Sequence, residues 1–159
     1  MKSTAASVCV RFQHEEGALP GGYELDDSAA RIDVAAVHEF LSTQAYWAKG
    51  RPYEIQERLV QAANRVVGLY HNDRQIGFAR TVSDGVAIAY LADVYVLSEY
   101  RGRGFGAMII RFSVDEGPFA HMRWVLHTVD AHGLYKKFGF APPNARALER
   151  PSAELGLAR

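Results

Sequence analysis

The sequence predicts an α+β domain. Apolar residues recur at helical spacing in two early stretches, then alternate at strand spacing through three consecutive runs. The third run leads through a glycine-rich turn, Arg101 to Ala107, into another helix, and a shorter strand, helix and strand follow.

Each element has its own local reason. Residues 1–22 end in Glu15, Glu16, Gly17 and the turn cluster Pro20, Gly21, Gly22, which predicts a loosely ordered leader, so that a single domain spans 23–159. Asp33 caps a helix through Ser42, in which Val34, Val37, Phe40 and Leu41 form one apolar face. Pro52 opens a second helix running to about Asn64. Val66 to Tyr70 and Gln75 to Val82 are strands joined by the turn His71, Asn72, Asp73, Arg74. Ser83, Asp84 and Gly85 make the next turn, into the long strand Val86 to Leu97. The helix after the glycine turn carries Met108, Ile109, Ile110, Phe112 and Val114 to about Glu116, and Gly117 and Pro118 stop it. Trp124 to Val129 is a strand, Asp130 caps a short helix over Ala131 to Lys137, and Phe138 to Ala141 begins a last strand.

Composition narrows the function classes. The 159 residues suit one domain with a core of its own. Apolar residues are 48%, charged residues 23%, and the formal net charge is zero, so the basic excess of a nucleic-acid binder is missing. The single cysteine, Cys9, excludes an internal disulfide and a thiolate zinc cluster, and no metal is expected. No run approaches the roughly 18 apolar residues of a membrane span, and residues 1–10 are too polar for a signal segment, so a cytoplasmic protein is expected.

The glycine turn carries the chemistry. A turn between a strand and a helix aims backbone N–H groups and the positive end of the helix dipole at an anion. Gly102, Gly104 and Gly106 leave room for close approach of a diphosphate, and Arg101 and Arg103 add charge. The competing reading is a turn chosen only for its backbone angles. A P-loop requires Lys followed by Ser or Thr after its last glycine, whereas Ala107 and Met108 follow here. Gly102, Gly104 and Ala107 satisfy the dinucleotide fingerprint, which keeps a small NAD-binding oxidoreductase as an alternative. Only about 50 residues remain for the rest of such a domain, and its acidic ribose ligand would have to be Asp130.

Taken together, the strand Tyr90 to Leu97, the loop Arg101 to Ala107 and the run from Gly133 to Phe140 resemble the GNAT (Gcn5-related N-acetyltransferase) superfamily. Its phosphate loop is matched by Arg101, Gly104 and Gly106, and its Leu-Tyr-x-x-x-Gly-Phe run by Leu134, Tyr135, Gly139 and Phe140. The likeness extends from about Tyr23 to Phe140, with specific motifs in residues 90–140. It implies a mixed, mostly antiparallel sheet flanked by helices and split between its fourth and fifth strands, here Tyr90 to Leu97 and Trp124 to Val129. Acetyl-CoA would enter the split, held by backbone groups of Val94 and Val96 and, at its pyrophosphate, by Arg101, Gly102, Arg103, Gly104, Phe105, Gly106 and Ala107. Thr128 stands where many relatives carry an asparagine that contacts the cofactor. The implied reaction is acetyl transfer to a primary amine by direct attack in a ternary complex. A small amine, an amino-acid-like molecule or a peptide amine would be the acceptor, with neither nucleic acid nor membrane as partner. A homodimer is common among small relatives. A domain that binds acetyl-CoA without catalysis is the non-enzymatic alternative.

An amine attacking a thioester must first lose a proton, and the departing thiolate must gain one. Asp93 and His127, on the strands flanking the implied split, are the candidate bases. For each, a salt-bridged or core-satisfied side chain is the competing reading. The family motif makes Tyr135 the acid, against a purely packing role like that of Phe138 and Phe140. By the same likeness Tyr46 and Trp47 line the acceptor pocket, with His38 and Arg80 beside them, and an aromatic wall suits a flat or cationic amine.

Overall fold

The computed structural model describes residues 9–11 and 21–150. Its elements, in chain order, are β1 (Cys9–Arg11), β2 (Tyr23–Asp26), α1 (Val34–Gln44), α2 (Tyr53–Ala62), β3 (Arg65–His71), β4 (Arg74–Ser83), β5 (Ile88–Val96), α3 (Phe105–Val114), β6 (Arg123–Val125) and α4 (His132–Lys136). One six-stranded sheet runs in the order β1 to β6. Neighbours are antiparallel except β5 and β6, which are parallel. The sheet is therefore mixed and mostly antiparallel, as the family resemblance implies. Apart from β1, residues of the leader span 1–20 lie outside the described residues.

Local chemistry explains most boundaries. The Asp33 carboxylate accepts the Ala36 N–H at 3.0 Å, and the Asp33 N–H donates to Gln75 Oε1 at 2.9 Å, so the helix cap is also tied to β4. Pro52 stands one position earlier than expected, as the extended residue before α2. Asn72 and Asp73 both take positive φ, the backbone of a tight hairpin turn between β3 and β4.

The two sheet faces bury separate cores. Val37, Phe40 and Leu41 of α1 and Val60 of α2 pack with Val66, Phe78 and Tyr95 on one face. On the other, Phe105, Ile109, Ile110 and Phe112 of α3 pack with Leu25, Leu69, Ile76 and Leu91. Each such side chain, fully buried, contributes about 1.5–3 kcal/mol. Arg65 closes the far end of α3: its guanidinium donates to the carbonyls of Phe112 at 2.7 Å and Ser113 at 3.1 Å, and pairs with Asp27 at 3.0 Å.

Three expectations are corrected. The strand expected over Trp124 to Val129 stops at Val125, because its sole ladder partner, β5, diverges from it there. The stretch from Phe138 to Ala141 forms no strand; Gly139, at φ 80, instead ends α4, with the Phe140 N–H donating to the Tyr135 carbonyl at 3.3 Å. Asp130 does not cap α4: Ala131 holds the N-cap position without a side-chain cap, and its N–H donates to the Thr128 hydroxyl at 3.2 Å. A strand that the sequence reading did not single out, β2, pairs with β3 along all four of its residues.

Candidate active site

Strands β5 and β6 pair at Ile88 with Arg123, Ala89 with Trp124 and Tyr90 with Val125, and then part. Counted from β2, these are the fourth and fifth strands, and among the described residues Leu91 to Val96 have no strand partner on that side. The Leu97 N–H bonds to the Ile76 carbonyl at 2.9 Å, and hydrogen-bonded positions alternate along an antiparallel ladder. The Val96 N–H and C=O therefore point away from β4, toward the gap, and Val94 has the same parity. The Val96 carbonyl already accepts Arg101 Nε at 3.1 Å, leaving one lone pair for a ligand amide.

At the end of β5 the glycine turn rises into α3. Gly102 and Gly104 have φ of 77 and 83, and a Cβ at either would meet nothing within 4 Å, so their left-handed backbone borders open space. Gly106 has no such requirement; a Cβ there would meet only Leu134 Cδ2 at 3.6 Å. The first amides of α3 have no acceptor within the helix, and the first helical bond runs from the Met108 N–H to the Gly104 carbonyl. Phe105 is buried against Tyr23, with ring centroids 4.7 Å apart, so it anchors the helix start and offers the turn only its main chain. Arg103 is exposed and reaches the Tyr23 hydroxyl at 3.3 Å. An open cradle of amides between two arginines fits a diphosphate, and the adjacent gap fits an extended amide-bearing arm.

Asp93 sits on a β-bulge. Arg80 pairs with Ala92 and Phe78 with Tyr95, so two residues of β5, Asp93 and Val94, oppose Ala79 alone. Asp93 takes φ 54, a left-handed conformation that aspartate tolerates better than most residues. Its buried carboxylate accepts Trp47 Nε1 at 3.3 Å on Oδ1, and Arg51 Nη1 at 3.1 Å and Arg80 Nε at 2.9 Å on Oδ2. Three donors, two of them cationic, thus hold Asp93 in the salt-bridged arrangement that was the competing reading to a base. Arg80 is correspondingly turned onto Asp93. His38 also faces inward, its Nε2 2.9 Å from the Arg51 carbonyl and its ring edge-on to Tyr53 at 5.4 Å.

Across the gap, His127 is exposed just beyond β6. Its Nδ1 lies 3.0 Å from the Tyr90 hydroxyl, and its Nε2 3.6 Å from the Glu149 carboxylate. Burial raises the Tyr90 phenol above its usual range, so it stays protonated, and it shares with Nδ1 a hydrogen bond whose direction follows the imidazole tautomer. Tyr90 was not among the sequence candidates; its position where β5 and β6 part, on the same face as Arg80, was the available signal. Tyr135 is half-buried on the α3 face, edge-on to Phe140 at 5.7 Å, and burial pushes its phenol up to about 12. Tyr46 is exposed and edge-on to Trp47 at 4.9 Å, and its hydroxyl accepts the Val129 N–H at 3.1 Å. Tyr46, Trp47, Arg80 and Asp93 thus belong to the α1 and α2 face and Tyr135 to the other, with the gap between β5 and β6 as the passage joining them.

A separate cleft of about 450 Å³ opens between α1 and the ends of β3 to β5, past Arg31, Asp33, Tyr70, Gln75 and Glu99; no residue of β6 or α4 lines it. Among the described residues no cluster of three His, Cys, Asp or Glu could hold a metal, and no helix is long and apolar enough to cross a membrane.

The fold and site together define a mixed sheet that parts between two parallel strands, with a glycine-rich turn opening a helix beyond the gap. The acetyltransferase (GNAT) domain model matches residues 62–142, and the chain belongs to the GNAT acetyltransferase family. Several relatives carry the description "putative acetyltransferase", two of them with 30% identity or more. One, from Gibberella zeae, is 38% identical over 74% of this chain and 77% of its own. The other, a crystal structure from Xanthomonas campestris also assigned to the GNAT family, is 32% identical with a TM-score of 0.79, covering 86% of this chain and 96% of that one. A GCN5-related N-acetyltransferase from Ralstonia eutropha shares the fold at 16% identity and a TM-score of 0.63, over 83% of this chain and 99% of its own.

Proposed function

We propose that this chain is an acetyl-CoA-dependent N-acetyltransferase that passes the acetyl group directly to a primary amine. The observation carrying this is the gap left along Leu91 to Val96 once β5–β6 pairing ends at Tyr90 and Val125, a gap that leads along β5 to the open glycine turn at the start of α3. Acetyl-CoA supplies an acetyl group activated as a thioester. The amides opening α3, with Arg101 and Arg103, hold the diphosphate, and the outward main-chain groups of Val94 and Val96 hold the arm.

The amine approaches from the α1 and α2 face under Tyr46 and Trp47. Its proton goes to the Tyr90 hydroxyl as Tyr90 passes its own proton to His127 Nδ1, and the imidazolium so formed faces Glu149. Tyr135, a neutral phenol, donates a hydrogen bond to the leaving sulfur. With a pKa of about 12 against about 8.5 for a thiol, it stabilises that charge while keeping its proton, and the thiolate takes the second proton, which the attacking nitrogen sheds as the amide forms.

Thermal unfolding in the presence of acetyl-CoA, CoA, NAD or ATP tests the reading, since a ligand of the folded state raises the midpoint. Acetyl-CoA and CoA are expected to raise it, and thiol release should follow on adding an accepted amine. A shift with NAD alone would favour the oxidoreductase, and binding without transfer to any amine would leave a non-catalytic domain.

A further inference from the structure

We infer that the acceptor carries a carboxylate besides its amine, and that Arg80 receives it; this rests on the acetyltransferase reading above. The inference begins with a charge imbalance. Side-chain exposure is 7% for Arg51, 11% for Arg80 and 2% for Asp93, so all three charges are nearly withdrawn from water. Two guanidiniums share a single carboxylate, and among the described residues neither has a second acidic partner. One positive charge is left over in a poorly solvated place, where charges are normally paired.

The surplus has a direction. Arg51 is enclosed: its Nη1 bonds both Asp93 and Gln56, and its Nε is buried without a partner. Arg80 bonds Asp93 only through Nε, and among the described residues its two terminal nitrogens make no hydrogen bond, yet they are not sealed from solvent. The residue opposite it on β5 is Ala92, whose short side chain is only partly buried. The next position on the same face is Tyr90, opposite Val82, and Tyr90 carries the hydrogen bond to His127. Asp93 fixes the Arg80 fork through Nε, so its free edge is held ready for a planar anion. A single surplus positive charge calls for a single negative one, which a carboxylate supplies. An acceptor seated there has its anionic end on Arg80, its body against Tyr46 and Trp47, and its amine within reach of the Tyr90 hydroxyl.

Matched acceptor pairs test this: tryptophan against tryptamine and phenylalanine against phenethylamine, with thiol release from acetyl-CoA as readout. Within each accepted pair kcat/KM is expected to be at least about tenfold higher for the member bearing the carboxylate. Arg80→Gln, which leaves Asp93 paired with Arg51, is expected to abolish that preference by raising KM for the amino acid alone. Because the comparison within the parent protein needs no variant, misfolding of Arg80→Gln leaves the test intact. Equal rates within the pairs overturn the carboxylate site and leave the acetyltransferase standing. No transfer to either member also overturns it, and thermal shift with acetyl-CoA then reports separately whether the cofactor reading has failed.

Discussion

The Tyr46 hydroxyl accepts the Val129 N–H at 3.1 Å, joining groups 83 residues apart. The bond ties the loop between α1 and α2 to the segment after β6, across the gap between β5 and β6. Tyr46→Phe keeps the ring edge-on to Trp47 and deletes only this tie, worth about 0.5–1.5 kcal/mol. Steady-state kinetics at saturating acetyl-CoA should show a several-fold rise in acceptor KM with kcat little changed. An unaltered KM would remove Tyr46 from the acceptor site.

Tyr135→Phe should lower kcat while the acetyl-CoA dissociation constant stays close to that of the parent. The ring remains in its contact with Phe140, so thermal stability should hardly move. Equal turnover would retire the hydroxyl as the group facing the leaving sulfur.

Asp93 answers to two buried guanidiniums, so its loss strands both. Asp93→Ala should destabilise the fold by about 3–5 kcal/mol, measured by denaturant titration, as expected when one partner of a buried ion pair is removed. A loss under about 1 kcal/mol would mean that the cluster is solvated in solution.

Gly104 and Gly106 should respond differently to the same methyl group. Gly104→Ala forces a left-handed φ of 83 on alanine, costing about 1–2 kcal/mol, and should weaken acetyl-CoA binding about tenfold or more. Gly106→Ala meets only Leu134 Cδ2 at 3.6 Å and adds helix propensity, so it should melt no earlier and bind as the parent does. Calorimetry with acetyl-CoA distinguishes them, and equal affinities would show that the angle at Gly104 is not what shapes the cradle.

Burial pushes the phenols of Tyr70 and Tyr135 up to about 12, and that of Tyr95 higher still. Their folded pKa values exceed the unfolded value of about 10, so the folded state holds these protons more tightly. Their contribution is whole below pH 10 and is lost as the pH climbs toward 12. Denaturant midpoints measured across that range should fall steeply, with phenolate absorbance from these residues appearing only as the fold opens. Ionisation of all three near pH 10 in the folded protein would contradict their burial.

Much of this was legible in the order of residues. Asp33 before an apolar helical face, Asn72 and Asp73 between two alternating runs, and Gly102 and Gly104 before α3 each impose a local backbone geometry whatever surrounds them. The Leu134 to Phe140 run was legible as a motif, although its Gly139-Phe140 end proved to be a helix stop and not the start of a strand. β2 was missed because four residues offer too little alternation to register.

By itself the sequence determined most of the succession of helices and strands and the glycine turn before α3, since those follow from short-range sterics and periodicity. Only the tertiary structure decided which side chains meet. Asp93, on a bulge of β5, became the hub of Arg51, Arg80 and Trp47, and Tyr90 met His127 where two strands part. Both outcomes depend on register between segments distant in the chain, which the residues of one strand cannot fix alone.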